Sequence, residues 1–160
     1  MKIIKACIVA AMALFLTLTT LDNLSMPDVG LGAVEAAVKM ETTFKHPGAM
    51  WRAITERPPA MAIFGAILIV EAVAAAICWV GAARMWLGRA DAVAFRQAKA
   101  IANLGLSLAA LLYFGGFLVV GAEWFLMWQS QPLSGALEMA FRMFMSAMVI
   151  MLYVSVVDDA

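Results

Sequence analysis

The stretch AMAIFGAILIVEAVAAAICWVGAAR, Ala60 to Arg84, decides the fold. Between Ala60 and Ala83 every residue but Glu71 is apolar or small. A run of roughly 20 such residues is long enough for a helix to cross a bilayer. Glu71 falls in the middle of the run. Hydrocarbon offers a carboxyl no hydrogen-bond partner, so one placed there is costly whether charged or neutral. Neighbouring helices must therefore shelter it, and the chain is read outward from that requirement.

Composition agrees. Of 160 residues, 65% are hydrophobic, and the mean hydropathy is +0.93; soluble domains sit near about 45–50% apolar. Eleven basic residues balance eleven acidic ones, so nothing provides the basic face that a nucleic-acid partner needs. The fold class that follows is an all-α, integral membrane four-helix bundle forming one domain over 1–160. Its spans are expected at about 4–21, 60–83, 98–126 and 136–157. Lys2 and Lys5 precede the first apolar run in the manner of a signal peptide, but no A-x-A cleavage site follows, which favours a retained helix.

Residues 22–59 form a long outer loop with structure of its own. Val29–Met40 reads as a short amphipathic helix in the membrane interface, with Glu35 and Lys39 an i,i+4 pair. Ala49–Glu56 reads as a second short helix, with Trp51 at headgroup depth. Pro58 and Pro59 suit the first turn of the next span. Arg84, Arg89, Arg96 and Lys99 surround the following loop with Asp91 alone opposing them, which marks that loop, and both chain ends, as cytoplasmic.

Helical spacing then assigns the buried faces. On the second span Glu71 shares a side with Ala74, Ala75, Cys78 and Ala82. On the third, Asn103, Ser107, Ala110, Phe114 and Gly121 line up. On the fourth, Glu138, Arg142, Ser146, Val149 and Tyr153 form a stripe. Arg142 lies close enough in depth to be expected to point inward and pair with Glu71, Glu123 or Glu138. Snorkelling to the headgroups beside Glu138 is the competing reading. Glu71, Arg142, Glu123, Glu138, Asn103 and Ser107 are thus the candidate buried polar network. Its expected role is a polar clamp on helix register; the competing reading is a proton relay at Glu71, for which Tyr113, Ser107 and Asn103 would supply part of a path.

Most chemistry is excluded. The single histidine, His46, lies in the outer loop, so a bundle-held bis-histidine haem has no ligands. Cys7 and Cys78 lie in no metal-ligand spacing and share a reducing compartment. Methionines crowd the fourth span, where thioethers could hold Cu(I) but serve as ordinary apolar filler. No phosphate loop, nucleophile elbow or zinc motif occurs, so neither a catalytic residue, a metal nor a cofactor is assigned. Glu41, Phe44, Trp51, Arg52, Trp124 and Trp128 fall on the outer side. They form either an aromatic belt or a docking surface for another membrane subunit.

Six pieces carry a resemblance: METTF (Met40–Phe44), MWRAI (Met50–Ile54), VEAVAAAICWVGAARMW (Val70–Trp86), FRQAKA (Phe95–Ala100), GAEWFLMWQS (Gly121–Ser130) and AFRMF (Ala140–Phe144). From Met40 to the C-terminus the chain resembles a bacterial family of predicted small integral membrane proteins, a domain of unknown function (DUF2165). It departs from the family pattern at Glu41, where aspartate is usual, and after Asn23. The resemblance implies four spans and no assigned activity. The reading of function is a non-catalytic accessory subunit of a larger inner-membrane complex, of respiratory or photosynthetic electron-transfer type. Its partners are membrane lipid and other membrane subunits. The alternatives are a small proton-coupled transporter or channel using Glu71, and a quinone- or lipid-binding module.

Overall fold

The structure, a computed structural model, describes residues 1–157. Helix α1 (Lys2–Ser25) and helix α2 (Pro27–Val38) are joined at Met26. Helix α3 (Arg57–Leu87) follows a loop that holds one 3-10 turn, Met50–Arg52. Helix α4 (Ala92–Leu111) continues without a break as a π-helical segment, Leu112–Trp124. Two 3-10 turns, Met127–Gln129 and Gln131–Leu133, lead into helix α5 (Ser134–Ser155). Four segments are long and apolar enough to cross a membrane: Lys2–Ser25, Arg57–Ala90, Ala92–Trp124 and Gln131–Ser155. The protein is an all-helical integral membrane bundle. Each of these segments exceeds the apolar run that announces it, because polar ends are carried in helical form.

Local chemistry explains the helix ends. Proline occupies the first turn of both α2 and α3, where its missing N–H is no loss. Asp91 caps α4, its Oδ1 accepting from the backbone N–H of Val93 at 2.8 Å and of Ala94 at 3.3 Å. Helix α1 runs through its threonines because each hydroxyl donates to the carbonyl four residues back. The pairs are Thr17 to Ala13 (2.8 Å), Thr19 to Phe15 (3.1 Å) and Thr20 to Leu16 (2.9 Å). The helix expected over Ala49–Glu56 is corrected to that single 3-10 turn; Ala53 beyond it is already extended.

The tightest packing joins α3 to α4. Ala74, Ala75, Cys78 and Ala82, the face assigned by spacing, are buried against Ala98, Ala102, Leu106 and Ala109. A Cβ on Gly81 would come within 2.6 Å of the Ala102 backbone, and one on Gly105 within 2.6 Å of Cys78 Sγ. Helix α1 packs on α3 through Ala6, Val9, Ala13 and Leu16. Helices α1 and α5 are tied at the side of the bundle that carries Met1 and Val157, here the terminal side. There the buried Lys5 ammonium donates to the carbonyls of Val154 (3.5 Å) and Val156 (2.6 Å), and Lys99 also donates to Val156 (2.8 Å).

Two faces differ from expectation. On α4 the inward line is Ala102, Leu106, Ala109 and Tyr113, with Ala110 and Gly121 also buried. Phe114 is turned out, stacked on Phe144. On α5 the inward line is Ala140, Met143, Ala147 and Val154, while Glu138, Arg142, Ser146 and Val149 are exposed. In both helices small residues, which permit close approach, outrank polar ones in choosing the buried side.

Candidate functional site

On the side opposite the termini, here the α2 side, the bundle is not filled. A cavity of about 550 Å³ lies between the spans. Helix α1 supplies Phe15, Leu18, Thr19, Asp22 and Asn23, α3 supplies Phe64, Ile67 and Glu71, and the π segment supplies Tyr113 and Phe117. Helix α5 contributes Met139, Ala140 and Met143, and α2 roofs the space with Gly30, Ala33 and Val34. The size is ordinary for a small-molecule site.

Glu71 is 2% exposed and lines this cavity. The Tyr113 hydroxyl donates to its Oε1 at 2.9 Å. The Asn23 side chain approaches the carboxyl, yet Oε2 has no donor in hydrogen-bonding geometry among the described residues. A buried acceptor left unpaired costs about 1–3 kcal/mol, which an entering donor would recover. The cavity carries two acids, Asp22 and Glu71, and no lysine or arginine among its described lining residues. Three of its apolar lining residues, Phe15, Leu18 and Met139, are 38%, 51% and 48% exposed. Exposed apolar side chains of α1 and α5 thus flank the cavity, and Asp22, also exposed, flanks it nearer α2.

A second space of about 210 Å³ adjoins the first, sharing Ala33, Val34, Ile67, Phe117 and Ala136 as walls. Its lining is apolar throughout, from Val38 and Ile63 to Phe125 and Leu133. The apolar face of α2 thus covers protein cavities. Gly30 lets it close down: a Cβ there would meet the Phe64 ring at 2.6 Å and Asn23 Oδ1 at 2.8 Å.

The network expected around Glu71 is corrected by this geometry. Arg142 pairs with Glu138 on its own helix at 3.4 Å, with the two side chains 70% and 68% exposed. Its reach is satisfied one turn away, so it does not enter the bundle. Glu123 is exposed near Trp124. Asn103 donates to Ser155 at 2.9 Å and Ser107 to Met151 Sδ at 3.3 Å, both on the α4–α5 side away from Glu71. Of the six residues, Glu71 alone lines the cavity. Its companions, Tyr113 apart, were missed because Asp22 and Asn23 look like the start of a loop. The signal that finds them is the threonine run, which lets α1 continue.

The outer residues do assemble. Phe44 packs edge-on against Trp128 at 6.0 Å, and Trp51 against Trp124 at 5.6 Å. The Arg52 guanidinium lies 5.5 Å from the Trp51 ring and 5.2 Å from that of Trp124. Glu41 faces Lys39 at 3.8 Å. Thr42 and Ser130 hydroxyls bond at 2.5 Å, and Gln129 Oε1 accepts from the Phe44 N–H at 3.0 Å, pinning the two loops together. No group of three or more histidine, cysteine, aspartate or glutamate side chains able to hold a metal occurs among the described residues.

The same pinned loops contain GAEWFLMWQS and METTF, and the family model for DUF2165, predicted small integral membrane protein, matches residues 1–157. The chain belongs to this family. The match takes in α1 and α2 as well as the part from Met40 onward, so the cavity's whole wall lies within the DUF2165 region. No curated protein and no solved structure matches this DUF2165 chain.

Proposed function

We propose that this protein binds, from the bilayer, a lipophilic molecule whose head group donates a hydrogen bond, such as an amine or an alcohol. The observation that carries the reading is Glu71. Its Oε2 is buried without a donor at a cavity flanked by exposed apolar side chains of α1 and α5. The neighbouring apolar space suits part of a hydrocarbon tail. This is the lipid-binding reading narrowed by chemistry, and it assigns the protein a binding role with no reaction of its own.

The transporter reading is less well supported. Toward the terminal side Glu71 is followed by the close packing of Ala74, Ala75 and Cys78 on α4. Asn103 and Ser107 bond on another face. The accessory-subunit reading draws on a separate observation, the exposed Trp51–Arg52–Trp124 stack, whose residue types are those enriched where proteins dock. Lys2, Arg84, Arg89 and Arg96 gather at the terminal side, which supports placing that side in the cytoplasm and the protein in an inner membrane.

The test compares dodecylamine, dodecanol and dodecanoic acid added to the purified protein in mild detergent. The amine and the alcohol are expected to raise the melting temperature while the acid does not. Glu71→Gln is expected to lose the response and Arg142→Gln to keep it. An equal response in wild type and Glu71→Gln overturns the proposal.

A further inference from the structure

We propose that two copies of this chain pair in the membrane through α5, side by side and parallel. The starting point is the position of Arg142. The Phe114 and Phe144 rings stack at 4.8 Å, and Tyr113, next to Phe114, donates to Glu71 at 2.9 Å. Phe144 is therefore level with Glu71, near the middle of α3. Arg142 is two residues away, about 3 Å along the helix axis. A guanidinium at that depth, 70% exposed on the outer face of a span, stands in the region where an uncovered charge is least tolerated. Glu138 beside it balances the charge but is just as exposed.

The surface around this pair has the pattern of a helix seam. Glu138, Arg142, Met145, Val149 and Leu152 recur at alternating spacings of four and three. The last three are 42%, 58% and 64% exposed. Val149 takes the register of Arg142, and Met145 and Leu152 that of Glu138. A β-branched residue alternating with an unbranched-at-Cβ one in this order favours two parallel strands, and a polar residue in the seam fixes the pairing.

The charges choose the occupant. Copies inserted in the same sense are related by a two-fold axis along the membrane normal, which sets each residue at the depth of its own counterpart. Arg142 of each copy then lies one turn from Glu138 of the other, and two acids and two bases close into a neutral cluster. Lipid offers no such complement, and an unrelated helix would need the same two charges at the same spacing.

The experiment uses the full chain with Cys7→Ser in native membranes, one cysteine at a time placed at 145, 149 or 152, and an oxidant. Disulfide-linked dimer is expected at these positions and not at 69 or 111, whose Ile and Leu are 66% and 67% exposed on other spans. Glu138→Lys and Arg142→Glu, each made in the Val149→Cys chain, are expected to cut self-linkage at least fivefold. Co-expressing the two is expected to restore it as the mixed dimer. Linkage at 149 no greater than at 69 overturns the proposal, as does a cross-link from the seam to a different protein or a mixed pair no better than either variant alone. The outcome is independent of Glu71, since neither the seam nor its controls line the cavity.

Discussion

Tyr113 and Glu71 satisfy each other at one oxygen and leave the other unpaired, and that imbalance separates a structural clamp from a receptor. Tyr113→Phe removes the hydroxyl that donates to the carboxyl. Hydrogen bonds inside membrane proteins contribute about 0.6 kcal/mol on average and up to about 1.7 kcal/mol, so a loss of about 1 kcal/mol is expected. Glu71→Met likewise strands the tyrosine hydroxyl. Tyr113→Phe combined with Glu71→Met removes both polar partners from an apolar wall, and such a pairwise removal is often neutral or stabilising. The double variant is expected to melt at or above the wild type while failing to respond to dodecylamine. Unfolding in mixed detergent micelles checks the stability half of that statement. A double variant less stable than both singles would make Glu71 a clamp first.

The α3–α4 crossing shows how much of an element can be read from its letters. Small residues at helical spacing on the second span are legible because closeness has a chemical requirement: no Cβ fits on Gly81 against Ala102 or on Gly105 against Cys78, so a glycine on one helix meets a small residue on the other. Gly81→Ala forces its methyl into the Ala102 backbone, and over-packing of that kind costs roughly 1–3 kcal/mol. Gly65, on the same helix with nothing within 4 Å of its would-be Cβ, is the matched control. Gly65→Ala is expected to be neutral or to stabilise by up to about 1 kcal/mol, since alanine is the better helix former. The polar faces are not legible in the spacing, for the complementary reason. Asn103, Ser107, Glu138 and Arg142 each find a partner on their own or the adjacent helix, and such local satisfaction leaves no trace in spacing. The π winding after Leu111, with its i→i+5 hydrogen bonds, is equally silent in the sequence. It carries Tyr113, Phe117 and Gly121 along one side of the cavities. The lysines were legible as charge and not as structure: Lys5 is fully buried where α1 meets the end of α5.

At the scale of the whole molecule the bundle is closed at the terminal side and hollow beneath α2. The closure is chemical. The Lys5 and Lys99 ammonium groups donate to carbonyls at the end of α5, where the helix has no amides left to offer. Lys5→Met removes the tie from α1 and is expected to lower stability by roughly 1 kcal/mol, because the buried Val154 carbonyl loses a donor while Val156 keeps Lys99. The lateral entry proposed for the ligand lies between Leu18 and Met139, which line the cavity and are exposed, and it gives the binding proposal a test that leaves Glu71 untouched. With Cys7→Ser as background, cysteines at 18 and 139 can be joined by bismaleimide reagents of graded span and a cleavable linker. If the ligand enters sideways, closing the mouth before dodecylamine is added should abolish the thermal shift. Cleaving the linker should restore it, and closing the mouth after loading should slow release. Entry from the α2 side would leave all three measurements unchanged, because neither residue belongs to the helix that roofs the cavity. The geometry favours the lateral route, since both mouth residues are apolar and half exposed to lipid, and a tail-bearing molecule already dissolved in the bilayer crosses no aqueous phase to reach them.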